Sequence, residues 1–261
     1  MSERFDSLDK YYKTIEKWNM SAKVLFWLNT VLSALVFFLD GYAVVKAILL
    51  YVFILTTLGY FVVDNYLGIF LIPGVEEKRR LHLLSNSFNV PLDNERTNKY
   101  YNNSLEPSLL KLGANVFENS LFAKAVTYEM AKKERVKIFI FFVIFVAAAL
   151  LRTTDLEFIS IVAQTLFAST LIPAWLRLEV LYRKNKEIYE CLYNVFLFYK
   201  ENSEEKVSAC ILDCYVRYES AKAYSGVKQS SKIFWRLNET LTQEWEQIKL
   251  NLKIEGNSND D

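Results

Sequence analysis

Four stretches of this chain are almost free of charge, and charged residues crowd the intervals between them. The first runs from Val24 to Leu39 between Lys23 and Asp40, and the second from Ala47 to Val63 between Lys46 and Asp64. The third, Ile138 to Leu151, lies between Lys137 and Arg152, and the fourth, Phe158 to Leu176, ends at Arg177. Their lengths are 16, 17, 14 and 19 residues, against about 20 for a helix that crosses the hydrocarbon core. Lys23, Lys46 and Lys137 sit at block ends, where their stems snorkel and lengthen the usable span. Each block is apolar on all sides rather than along one stripe. The blocks pair through short turns, Asp40-Gly41-Tyr42 and Arg152-Thr153-Thr154-Asp155. The pattern predicts an all-α integral membrane protein with four transmembrane helices in two hairpins and a cytoplasmic helical region. The competing architecture is a large soluble bundle with unusually apolar core helices.

Orientation follows from lysine and arginine, which accumulate on the cytoplasmic side. Arg4, Lys10, Lys13, Lys17 and Lys23 precede the first block. Lys78, Arg79, Arg80, Lys132, Lys133 and Arg135 lie between the hairpins, and Arg177, Arg183, Lys184 and Lys186 follow the fourth block. Each short turn has one basic residue at its edge, Lys46 or Arg152. Both termini and the middle segment are therefore expected to be cytoplasmic. The N-terminus does not read as a secretory signal. Asp6, Asp9 and Glu16 accompany its lysines, and no small-residue cleavage site follows the first block.

Four regions result: 1–72, an N-terminal helix and the first hairpin; 73–135, a cytoplasmic middle segment; 136–176, the second hairpin; and 177–261, a cytoplasmic helical region with a disordered tail. Pro73-Gly74 is a turn signal, and Pro91 and Pro107 bound a polar stretch. A helix is predicted from about Pro107 through Lys133 into the third block, and another from Ala174 towards Lys200. Ser203 can cap a helix carrying Val207, Ile211, Cys214, Tyr215 and Tyr218, and Gly226 marks its end. Phe234, Leu237, Leu241, Trp245, Ile248 and Leu252 then step by three or four, as in a bundle seam. That seam either joins subunits of a homo-oligomer or packs within the chain against Ile211 and Tyr215.

Composition removes several chemistries. The formal net charge of +1 is no footprint for nucleic acid, so none is expected as a partner. Seven glycines are scattered, with no phosphate-cradling loop. The single histidine, His82, excludes multi-histidine metal sites and is read as excluding His-dependent triads. Three cysteines, Cys191, Cys210 and Cys214, make no disulfide framework and lie in segments read as cytoplasmic. Cys210 and Cys214, one helical turn apart, read as core residues. No catalytic residue, metal or cofactor is assigned, and the chain does not read as an enzyme.

Two groups of polar residues carry candidate function. Asn29 with Ser33, and Thr165 with Ser169, share helix faces inside the spans. They line a pore formed on oligomerisation, or they pack helices through small and hydroxyl groups. The tract Asp93–Asn103 is the candidate for ligand recognition. Arg96 and Lys99 suit phosphates, Tyr100 and Tyr101 suit stacking on bases, and Asn102 and Asn103 read polar edges. The same residues also make ordinary caps and turns.

The strings SNSFNVPLDNERTNKYYNN at 85–103 and LGANVFENSLFAKAV at 112–126, with the two hairpins around them, resemble the SMODS-associating four-transmembrane effectors of bacterial anti-phage signalling. The resemblance implies a partner nucleotidyltransferase that makes a cyclic nucleotide, an effector that senses it, and disruption of the inner membrane. It carries no catalytic residue. The expected function is a multi-pass inner-membrane effector that oligomerises in the lipid bilayer and permeabilises it when triggered, by a cyclic nucleotide messenger or a cytoplasmic activating protein. The other reading is a constitutive channel, or a membrane scaffold that recruits a cytoplasmic partner through the C-terminal helices.

Overall fold

The computed structural model describes residues 5–37, 39, 41–95, 97, 98, 100–150 and 171–254. Most of the fourth apolar block, the turn Arg152–Asp155 and the acidic tail lie outside the described residues. Among the described residues the fold is all-helical apart from one two-residue strand pair. Strand β1 (Phe5–Asp6) precedes helix α1 (Asp9–Phe37) and helix α2 (Ala43–Tyr66). A π-helical turn (Leu67–Leu71) leads into α3 (Ile72–Phe88), and β2 (Thr97–Asn98) pairs antiparallel with β1. Helix α4 (Leu109–Leu150) follows, then α5 (Leu171–Leu197), α6 (Glu204–Ser225) and α7 (Ser231–Leu252).

The chain divides into two units: residues 1–10, 73–131 and 177–261 in one, and 11–72 with 132–176 in the other. In the second unit α1 and α2 form an antiparallel hairpin. Trp18 packs edge-on to Tyr66 at 5.4 Å, and Phe26 lies 6.2 Å from Tyr60. Gly59 faces Leu25 across the hairpin, where a Cβ would make an ordinary contact at 3.9 Å. The stretches Asp9–Val36 and Ala43–Phe88 are long and apolar enough to cross a membrane. No residue of α2 is buried. A soluble core helix buries its apolar side chains, each worth about 1.5–3 kcal/mol when removed from water. Val44, Ile48, Leu55, Phe61 and Val62 are instead all exposed.

Pro73-Gly74 does not make a turn; both residues lie in the first turn of α3. Proline offers no N–H and its ring collides with the carbonyl four residues back, so a regular helix kinks or breaks there. Here the preceding π-helical turn widens the helix: the Ile72 N–H donates to the Leu67 carbonyl, five residues back. Such bulges absorb a misfit without ending the helix. Helix α3 ends instead at Asn89, whose φ of 53° is left-handed and is tolerated by asparagine.

The first unit holds a single large core. Phe117 of α4 is its hub, with ring centroids 5.3 Å from Tyr189, 5.6 Å from Phe196 and 5.3 Å from Trp245. The apolar seam of α7 packs into this core: Leu241, Trp245 and Ile248 are buried in one cluster with Ile211, and Tyr215 lies against it. Packing within the chain therefore occupies the seam. The predicted caps are present. Ser203 accepts a hydrogen bond from the Lys206 N–H at 3.4 Å, and Gly226 ends α6 with φ 56°. The same chemistry recurs at Ser230, which accepts from the Ile233 N–H. Helices α4 and α5 run through the positions where the sequence places them.

Gly113 of α4 is required by close packing. A Cβ there would meet Ile211 Cδ1 at 2.8 Å and Cγ1 at 3.0 Å. Gly113→Ala is therefore expected to destabilise the chain by about 1–3 kcal/mol through overpacking. Ile211→Val in the same background should restore part of that loss, read as a double-mutant cycle of denaturant midpoints.

Candidate functional site

The two strings that carry the family resemblance meet in the first unit, and they meet through amide chemistry. The Asn115 side-chain amide on α4 donates to Asn86 Oδ1 at 3.0 Å and to Ser87 Oγ at 2.9 Å, both on α3. Asn115 Oδ1 accepts from the Asn103 amide at 2.7 Å. One turn further along α4, the Glu118 carboxylate accepts from the Asn102 backbone N–H at 3.1 Å and from its side-chain amide at 2.6 Å. The Asn102 carbonyl then accepts from the Trp245 indole N–H at 3.3 Å. Asn115 and Ser87 are fully buried, and Glu118 nearly so. Unpaired polar groups at such depth cost about 1–3 kcal/mol each, so the pairings are obligatory rather than decorative.

Asn102 and Asn103, read from the sequence as candidate ligand contacts, thus direct their amides into the protein. Tyr100 and Tyr101 pack edge-to-face at 4.8 Å. The Arg79 guanidinium lies 4.4 Å above the Tyr100 ring, and Tyr101 stacks on His82 at 6.2 Å. Both tyrosine rings are therefore engaged with α3. Arg96 and Lys99 lie outside the described residues. So do Thr165 and Ser169 of the candidate pore lining.

A dense charge cluster surrounds these rings. Arg79 pairs with Asp6 at 2.6 Å, and both are almost fully buried. Lys10 reaches Glu95 at 3.4 Å. Lys222 of α6 bridges Glu76 and Glu219 at 3.0 Å each. Burial raises the Glu219 carboxyl above its ordinary range, against the pull of Lys222. Burial also raises the Tyr101 phenol, with Tyr100 adding to the shift, and burial raises that of Tyr218. The Tyr101 hydroxyl has no hydrogen-bond partner among the described residues. The sequence offered little sign of this cluster, because its members come from β1, the start of α1, α3, the polar tract and α6.

One exclusion made from the sequence needs correction. A triad uses a single imidazole, so one histidine does not forbid it. The structure places His82 between Thr97 and Asp93, with Nε2 2.8 Å from the threonine hydroxyl and Nδ1 3.6 Å from the carboxylate. The second separation exceeds hydrogen-bond length. Asp93 therefore does not orient the ring as a catalytic relay requires, and the arrangement acts as a brace between α3 and the polar tract.

In the second unit Asn29 finds its partner across the hairpin, accepting from the Thr56 hydroxyl at 2.5 Å. Ser33 donates to the Thr30 carbonyl of its own helix at 3.0 Å. Of the two, only the Asn29–Thr56 bond joins the helices.

Asn115→Ala is expected to cost about 1–3 kcal/mol, because it strands the Asn103 amide and the Asn86 carbonyl oxygen. Exposed Ser104→Ala should fall within about 0.5 kcal/mol of wild type. Denaturant unfolding of the detergent-solubilised chain measures both.

No protein-family model, curated protein or solved structure matches this chain.

Proposed function

We propose that the chain is an inner-membrane effector of bacterial anti-phage defence, which oligomerises and permeabilises the bilayer when triggered. The observation that carries the membrane part is α2, which carries no charge from Ala47 to Val63 and has none of its 24 residues buried. Lipid is the solvent that suits such a helix, because water would charge each large side chain its hydrophobic cost. The third and fourth apolar blocks supply the second hairpin of this reading, with both termini on the cytoplasmic side. The effector part rests on the resemblance of the strings at 85–103 and 112–126. The trigger is a cyclic nucleotide or a cytoplasmic activating protein, and the polar tract is where it acts.

Four spans in one chain fill the space among themselves with side chains, so a water-filled lumen needs several copies. Permeabilisation is then conditional on a trigger, which separates the effector from a constitutive channel. The test is induction in bacterial cells carrying a voltage-sensitive dye, with and without phage infection. Depolarisation on infection alone supports the effector. Depolarisation on induction alone identifies the channel, and none under either condition removes the pore. Reporter fusions at Gly41 and Thr154 are expected to read as periplasmic, and fusions at Tyr101 and Asp261 as cytoplasmic.

Asn29→Leu and Thr56→Val should weaken hairpin assembly by similar amounts, about 0.6–2 kcal/mol, and the double variant by little more. If Asn29 instead lines a pore, Asn29→Leu changes dye entry while Thr56→Val leaves it unaltered.

A further inference from the structure

Helices α5 and α6 lie against each other in antiparallel register, and two independent contacts establish it. Arg217 of α6 pairs with Glu187 of α5 at 3.2 Å. About one turn along, the sulfur of Cys214 lies 3.0 Å from that of Cys191. Moving four residues forward on α5 moves three back on α6, as two antiparallel helices require. The thiols thus meet because the helix register brings them together.

We propose that Cys191 and Cys214 form an oxidant-sensitive dithiol that closes into an intrachain disulfide when peroxide reaches it. A disulfide joins sulfurs about 2.0 Å apart, so roughly 1 Å of approach completes the bond. The two thiols differ in what they can do. Cys191 is half-buried, whereas Cys214 is fully buried. Burial holds the Cys214 thiol well above its usual range, and the neighbouring Cys191 adds to the shift. Cys214 is therefore a poor first target for oxidant, because the thiolate is the reactive form.

The order of events follows. The Cys191 thiol gives up its proton and the thiolate attacks one oxygen of hydrogen peroxide, giving a sulfenic acid at Cys191, while the departing hydroxide takes the proton as one water. The Cys214 sulfur then attacks the Cys191 sulfur and loses its proton, and the sulfenic oxygen leaves as a second water. Two thiols are oxidised by two electrons and one peroxide is reduced, so the step needs no further reagent. The bond ties α5 to α6 across the core that holds Phe117 and Trp245. Cys210, one turn before Cys214 on α6, remains outside the pair.

The test uses the full chain in detergent micelles or native membranes, treated with hydrogen peroxide under non-reducing conditions. Of three cysteines, two should lose their reactivity to maleimide after denaturation, and dithiothreitol should restore both. Mass mapping should find the peptides around Cys191 and Cys214 joined, with a loss of two hydrogens. The same joined pair should form in Cys210→Ala and be absent in Cys191→Ser. Because Cys214→Ser alters the core, the wild-type mapping carries the conclusion without it. Three thiols that stay reactive at peroxide concentrations that oxidise free cysteine would overturn the proposal. So would a disulfide that maps to Cys210 or joins two chains.

Discussion

Asn115 is buried in the middle of a helix-packed core, and every atom of its amide is used. It bonds α3 on one side and the polar tract on the other. Glu118, one turn away, holds the tract by two further hydrogen bonds. A buried carboxylate is tolerated only when such donors surround it. Once the tract is held there, the rest of the unit has its positions. The Asn102 carbonyl meets Trp245, which brings α7 onto the core. β2 offers its edge to β1, and Asp6 next to it reaches Arg79. The N-terminal strand, three helices and a loop with little regular structure of its own therefore depend on one polar seam.

The hairpin of α1 and α2 obeys a different constraint. Its helices have little buried surface to contribute, and what holds them is aromatic contacts at Trp18 and Phe26 and the Asn29–Thr56 bond. In hydrocarbon these forces suffice, because apolar side chains gain nothing by hiding from lipid. In water they would not, since the outer faces would remain wetted.

Packing uses residues of the polar tract that the sequence also offers for ligand recognition. Asn102 and Asn103 suit ligand recognition by type, yet both amides face inward in the structure. Arg79 with Tyr100, and His82 with Tyr101, hold the tract against α3, and Lys222 with its two carboxylates ties α6 to the same helix.

Several elements were legible along the chain because their causes are local. Ser203 and Gly226 bound α6 through capping and left-handed geometry, which depend on a few neighbouring residues. Four apolar runs were read as spans, and among the described residues two helices, over Asp9–Val36 and Ala43–Phe88, are long and apolar enough to cross a membrane. Pro73 misled, because the π-helical turn that accommodates it is set by hydrogen bonding around it rather than by proline itself. At His82 the count of histidines was the wrong criterion, since one imidazole suffices for a triad and only the fold decides which hydroxyl and carboxylate surround it. The seam on α7 was visible as a pattern, but periodicity shows only that a face is apolar. Whether Leu241 and Trp245 meet another chain or Phe117 of their own was decided by tertiary packing. So was the meeting of Cys191 with Cys214, which are 23 residues apart and become neighbours only through antiparallel helix register. Local chemistry along the sequence determined where helices start, stop and turn apolar. Which side chains face one another was decided by the fold, because those contacts join residues that the chain order keeps apart.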